Sequence, residues 1–269
     1  MHEFDNNCCF LLFIGTPRSG HSIIGAILDA HPNVVVSHEL HALQKFSDGW
    51  DSAQLKSGII ETSAKQAIEG REQTERDHGG DYFVEAKRTQ AKYRFDYTIP
   101  SQFQGQIMGE IKVIGDKKGG GTTSILSAKP ELLKKFDNDI DLPIKFIHVV
   151  RNPFDNIATM AFRSGNSLIS QVKKYRWYIE NLHDVLKLGR HEYLTIYHED
   201  FVMHTKQQLE LICNWLQLDT NQSYIEDSAS IVYKSPHMSR GRVEWGVEER
   251  KEVEEIIENW PVLSRYTYH

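Results

Sequence analysis

From Cys8 to Ile14 the chain runs almost without a polar side chain, which predicts a parallel strand buried on both faces. Gly15 to Ser22 is then a turn rich in small residues, and Ile23, Ile24, Ala26, Ile27, Leu28 and Ala30 recur at helical spacing until Pro32 stops them. A strand, a tight loop and a helix in that order aim several backbone N–H groups and a helix N-terminus at one spot, a natural place for a phosphate. Asn33–Val36 reads as a second short strand, which delivers Ser37-His-Glu-Leu-His41 to the same edge of the sheet.

Between Trp50 and about Gly80 a polar stretch carries one apolar stripe, Ile59, Ile60, Ala64, Ala67 and Ile68, and predicts an amphipathic helix. Asp77–Gly80 breaks it, after which Tyr82–Ala86 and Ala91–Tyr97 alternate like strands or an extended flap, and Ile99–Gly105 is irregular. Ile111–Gly115 returns to a strand and leads into Asp116-Lys-Lys-Gly-Gly-Gly-Thr-Thr123, a basic, glycine-rich helix start and a second candidate anion site. Leu126–Phe136 is helical with Pro130 interrupting it, and Leu142–Val150 is a strand. Helices over Phe154–Arg163 and Leu168–Leu188, a strand over Tyr193–Tyr197 and a helix over His204–Leu216 follow. A basic loop, Ser239–Trp245, and a charged helix, Glu248–Ile257, complete the pattern, while residues 1–7 are polar and expected to fray. Strands alternating with helices predict an α/β fold: an open parallel sheet of P-loop type between two helical layers.

Length and composition narrow the class. The chain has 269 residues, enough for a full core, and reads as one domain over 1–269 with 43–109 as an acceptor-side insertion. A formal charge of −6 argues against a nucleic-acid partner, so an anionic ligand must be held by local arginines and backbone dipoles. Cys8, Cys9 and Cys213 show no metal spacing and point to a reducing, cytoplasmic compartment. The Cys8–Ile14 run is too short to span a bilayer and lacks a basic leader, so the reading is of a soluble chain without a membrane span.

The loop matches G-x-x-x-x-G-K-[ST] at Gly15, Gly20 and Ser22, but His21 stands where the lysine belongs. A nucleoside-triphosphate enzyme uses that lysine on the β- and γ-phosphates, so a small-molecule kinase loses its main cation here. Arg18 places a charge elsewhere in the loop and suits a different anion.

Thr16-Pro-Arg-Ser-Gly-His-Ser22 resembles the 5′-phosphosulfate loop of the sulfotransferases, whose donor is 3′-phosphoadenosine 5′-phosphosulfate (PAPS). Ile144-Lys-Phe-Ile-His-Val-Val-Arg-Asn-Pro153 is similar to that family's 3′-phosphate motif, with Thr159 eight residues after Arg151. Tyr197-His-Glu-Asp-Phe201 resembles its Tyr-Glu-Asp-Leu segment with one residue added. The early stretch, with Pro-Arg-Ser-Gly and Leu-Asp-Ala-His-Pro, looks most like the tyrosylprotein and other Golgi-type members, here as a soluble bacterial-style relative.

The resemblance implies roles. Arg18, Ser19, Gly20, His21 and Ser22 would take the 5′-phosphosulfate, and Arg151 with Thr159 the 3′-phosphate. Glu39 lies twenty-one residues past Arg18, as the tyrosylprotein enzymes place their catalytic glutamate, with His38 or His41 as the competing base. Lys117 is the candidate leaving-group cation and Lys118 is equally near. Arg240, Gly241 and Arg242 weakly resemble the basic element that closes over the 3′-phosphate, and Ile23 stands where small-molecule enzymes often carry the tryptophan that stacks on adenine. The implied reaction moves a sulfuryl group to a hydroxyl or amine, leaves 3′-phosphoadenosine 5′-phosphate (PAP) and requires no metal. The acceptor, whether a small molecule, a carbohydrate or a lipid, is left open. The aromatics Tyr82, Phe83, Tyr93, Phe95 and Tyr97 could line its pocket or make core. A P-loop small-molecule kinase and a non-catalytic nucleotide-binding module are the alternatives.

Overall fold

Successive side chains of a strand leave on opposite faces, and in the first strand, β1 (Phe4–Gly15), both faces are covered. Cys9, Leu11 and Phe13 pack against Ile23, Ile24 and Ile27 of α1 (His21–Asp29). Cys8, Phe10, Leu12 and Ile14 face the other way. There they meet Leu55 and Ile59 of α3 (Ser52–His78), Leu126 of α4 (Gly119–Ala128) and Phe136 of α5 (Glu131–Ile140). The result is the three-layer α/β arrangement predicted from the apolar run. These relations come from a computed structural model that describes residues 3–78, 97–188 and 191–269, with the side chains of 70–78 excepted.

The remaining strands are β2 (Val34–Ser37), β3 (Ile111–Asp116), β4 (Ile144–Val150) and β5 (Glu192–Tyr197). The sheet runs β2-β3-β1-β4-β5 and every pairing is parallel. After β1 the chain crosses toward the β2 edge, and after β3 it crosses β1 to reach β4. Loops leaving the carboxyl ends of neighbouring strands therefore diverge, and the crevice between them is where an open α/β sheet binds its ligand. α6 (Pro153–Ser164) and α7 (Leu168–Lys187) follow β4. α8 (His198–Met203), α9 (Thr205–Trp215), α10 (Gln222–Ser230) and α11 (Val247–Asn259) follow β5. A third apolar cluster joins Phe154, Tyr175, Trp245, Ile256 and Tyr266, and docks the C-terminal segment beside the end of β4.

Several sequence expectations shift. Residues 4–7 extend β1 instead of fraying, because Phe4 pairs with Ile111 and packs on the core. The stretch 126–136 divides between α4 and α5 at Lys129–Pro130, and α8 and α10 were not foreseen. Of the α3 stripe, Ile59 and Ala67 are buried while Ile68 is exposed. Within 43–109, α2 (Ala42–Ser47) and the start of α3 add Leu43, Phe46, Leu55 and Ile59 to the sheet's own core. The expected flap over 82–97 lies, except for Tyr97, outside the described residues.

Gly115 marks how tightly the central strands meet, since a Cβ there would overlap the backbone carbonyl oxygen of Leu11 on β1. Backbone in mid-sheet cannot step aside. Gly115→Ala is expected to lower unfolding stability by roughly 3 kcal/mol, at the upper end of overpacking effects, as read from a denaturant midpoint at unchanged slope.

Candidate active site

The loop between β1 and α1 holds its shape through side chains turned inward. Ser19 is fully buried; its hydroxyl lies 2.7 Å from Thr16 Oγ1 and donates to the Thr16 carbonyl at 2.9 Å. Asn156 of α6 donates to both hydroxyl oxygens, at 2.9 Å and 2.7 Å. Gly15 and Gly20 take φ of 129° and 105°, and Arg18, without the freedom of glycine, takes 71°. The strain at Arg18 is held by its neighbours, as is common where a loop is built for a ligand.

His21 opens α1, yet its ring folds back under the loop and lies 3.1 Å from the carbonyl of Ile14. Burial pushes its pKa down to about 4, so the side chain is neutral and supplies no charge in place of the missing lysine. The ring fills the space above Gly119, where any Cβ would collide with it.

An ammonium group reaches Ser22 from another strand. Lys117, just after β3 and 3% exposed, donates from Nζ to Ser22 Oγ at 3.2 Å and to Glu39 Oε1 at 2.8 Å. Lys118 reaches the other oxygen, Oε2, at 2.5 Å. Burial alone would raise the pKa of Glu39, but the charge and hydrogen bond of Lys117, with those of Lys118, hold it well below the usual carboxylate range. Burial lowers the pKa of Lys117 and Glu39 opposes that shift.

Glu39 sits at φ 76°, in a turn fastened by a buried carboxylate. Asp116 accepts from Ser37 Oγ at 2.7 Å and from the amides of Leu40 and Ala42 at 2.8 Å and 3.0 Å. Gln66 of α3 clasps His38 by both its amide and its carbonyl. His38 lines the cavity beside Glu39, whereas His41 is exposed at the start of α2.

Arg151 closes the opposite end. It is 8% exposed and donates to the Arg18 carbonyl (3.1 Å), Thr159 Oγ1 (3.3 Å), the His237 carbonyl (2.9 Å) and Ser239 Oγ (3.1 Å). Arg18, Glu39, Lys117, Arg151, Thr159 and Arg242 all line one cavity of about 680 Å³.

Ser19, buried beneath the loop, does not line the cavity, nor does His41, and two further sequence candidates fall elsewhere. Arg240 is clamped on Asp155 through Nε and Nη2, at 3.1 Å and 2.8 Å, and on the carbonyls of Thr267 and Tyr268, and neither it nor Gly241 lines the cavity. Arg242 does, with its guanidinium 5.6 Å from the centre of the Phe162 ring. Ser239, Asp116 and His198 were missed. His198 is the residue added to the Tyr-Glu-Asp-Leu pattern; its buried Nδ1 has no hydrogen-bond partner, and it packs where a Cβ on Gly20 would lie.

Comparison with known proteins bears on this arrangement. A family model described as "Sulfotransferase family" matches residues 11–222. The chain belongs to the sulfotransferase family. It is similar in fold to the sulfotransferase domain from the curacin biosynthetic pathway, at 13% identity and a TM-score of 0.52, with 97% of this chain and 99% of that one covered. The sulfotransferase domain from the Synechococcus PCC 7002 olefin synthase gives 16% identity and a TM-score of 0.51, over 96% of this chain and 95% of that one. No curated protein sequence matches the chain. Arg18 of the loop after β1 and Arg151 at the end of β4 line one crevice. No helix among the described residues is long and apolar enough to cross a membrane.

Three buried imidazoles surround the loop of this sulfotransferase, with pKa values lowered by burial to about 4 for His21 and about 3 for His148 and His198. Between those values and 6.5 the unfolded chain binds protons that the folded one refuses, so stability falls as pH drops through that window. Asp29, raised to about 6 by burial, and Asp116, also raised by burial, act in the opposite sense, since such a contribution is lost as pH rises through the folded-state pKa. Thermal melts should therefore show the midpoint falling steadily from pH 7 to pH 4.5, by roughly 2 kcal/mol or more of stability, and a flat profile would contradict the three neutral imidazoles.

Proposed function

We propose that this sulfotransferase moves the sulfuryl group of PAPS to an acceptor hydroxyl or amine, with Glu39 as general base. The observation that carries the reading is the hydrogen bond from Arg151 to the Arg18 carbonyl, which brings the two phosphate motifs into one cavity. In this reading the 5′-phosphosulfate meets the backbone N–H groups of Ser19 to Ser22 and the charge of Arg18. The 3′-phosphate meets Arg151 and Thr159, with Ser239 and Arg242 beside them. The fit rests on a loop pressed against the end of β4 and against His198, where Gly15 and Gly20 leave no room for a side chain.

The acceptor oxygen attacks sulfur, the bond from sulfur to the bridging phosphate oxygen breaks, and PAP leaves. The acceptor proton passes to Glu39. Lys117, 3.2 Å from Ser22 Oγ, stands where charge builds on the leaving phosphate. Glu39 paired with two ammonium groups is a weak base. Negative charge on the bound donor draws on Lys117 and offsets its effect, which makes the carboxylate more basic when both reactants are present.

The acceptor has to reach Glu39, and Tyr97, Phe162, Arg163 and Tyr178 are further residues that line the same cavity. Within 43–109, Tyr97 is the described residue that lines it. A small molecule, a carbohydrate or a lipid headgroup would enter there. The free, buried thiols of Cys8, Cys9 and Cys213 support a reducing, cytoplasmic setting.

Calorimetric titration with PAP tests the donor: saturable binding is expected, and its absence would remove the proposal. Glu39→Gln should bind PAP as the wild type does while transfer from labelled PAPS slows on the order of 10²-fold. Equal rates would reject the base. Thr159→Ala should weaken PAP roughly tenfold with little effect on adenosine 5′-phosphate, measured in the same titrations.

A further inference from the structure

Both lysines reach Glu39 by passing over a glycine. Gly25 lies inside α1, three residues after Ser22, so the two share a face of the helix. A Cβ on Gly25 would sit 2.7 Å from Lys117 Cγ and 3.1 Å from its Cβ. The lysine stem therefore lies along that face, filling the place a side chain at 25 would occupy, and its ammonium ends at Ser22 and Glu39. The second lysine repeats the plan. Lys118 precedes α4, and its stem folds over the first turn, where a Cβ on Gly121 would meet Lys118 Cγ at 2.7 Å and Cε at 3.1 Å.

Glycine is a poor helix former, and its presence inside a short buried helix asks for a reason. At position 25 the contacts are to Cβ and Cγ, the root of the lysine and not its mobile tip, so the side chain cannot make room without withdrawing its ammonium. Lys117 is also too enclosed to find another path, being 3% exposed.

We propose that Gly25 and Gly121 are positioning residues, notches that set the reach of Lys117 and Lys118 and so place both ammonium groups on the carboxylate of Glu39. This rests on the reading of Lys117 as the cation at the donor's 5′-phosphate. Gly25 acts only through Lys117, and that dependence is measurable.

The experiment is a double-mutant cycle of Gly25→Ala, Lys117→Ala and the two combined, read by PAP calorimetry and thermal melting. Lys117→Ala and Gly25→Ala should each weaken PAP roughly tenfold or more, as expected for loss of one charge-assisted hydrogen bond. Added to Lys117→Ala, Gly25→Ala should change the Kd less than about twofold and raise the Tm, because alanine then improves the helix with no stem to strike. The pair Gly121→Ala and Lys118→Ala should show the same Tm pattern. Wild-type affinity in Gly25→Ala, or a loss that multiplies that of Lys117→Ala, would overturn the proposal. If Gly25→Ala alone does not fold, recovery of a cooperative melt in the double variant supports the notch, and failure there overturns it. A wild type that does not bind PAP counts against the proposed donor, while the Tm cycle still decides the coupling between Gly25 and Lys117.

Discussion

The guanidinium of Arg151 is the constraint on which the rest of the site depends. It is almost wholly buried and shares its N–H groups among the loop after β1, α6 and the segment 237–239. A buried cation is tolerated only with its donors satisfied, so these three pieces of chain are fixed relative to one another by one side chain. The same group that lines the cavity also braces the strained backbone of Arg18, so the shape of the cavity and of the loop are coupled.

The Glu39 end obeys a parallel rule with the opposite charge. Asp116, fully enclosed, accepts from two amides and a hydroxyl of the turn that carries Glu39. Its burial raises its pKa. Adjacent residues thus divide the work: Asp116 shapes the turn, and Lys117 and Lys118 neutralise what the turn presents. Asp29 does similar duty on the far side of α1, accepting from Val36, Ser63 and Gly105 and so tying β2, α3 and the segment before β3 together.

What could be read from sequence was whatever depends on neighbours in the chain. The apolar run of β1, the helical spacing after Gly20 and the eight-residue step from Arg151 to Thr159 all have a period or a spacing, and all reappear in three dimensions. Glu39 and Lys117 meet although 78 residues separate them, because each closes a neighbouring parallel strand. Contacts set by packing alone were not legible. Asp116 looks like any acidic residue at a strand end until its partners 74 and 76 residues away are known. Arg240 looks like a phosphate ligand until Asp155 is seen to hold it. His21 occupied the lysine position of a familiar pattern, and only the fold shows its ring bonded backward to Ile14.

That backward turn of His21 separates two things that a lysine-bearing loop keeps together. The loop backbone, with Arg18, belongs to the link between β1 and α1, whereas the ammonium beside Ser22 is delivered from the end of β3. Shape and charge can then drift independently: the cradle can be retained while a change at the β3 terminus retunes the electrostatics, without touching the segment by which such proteins are usually recognised.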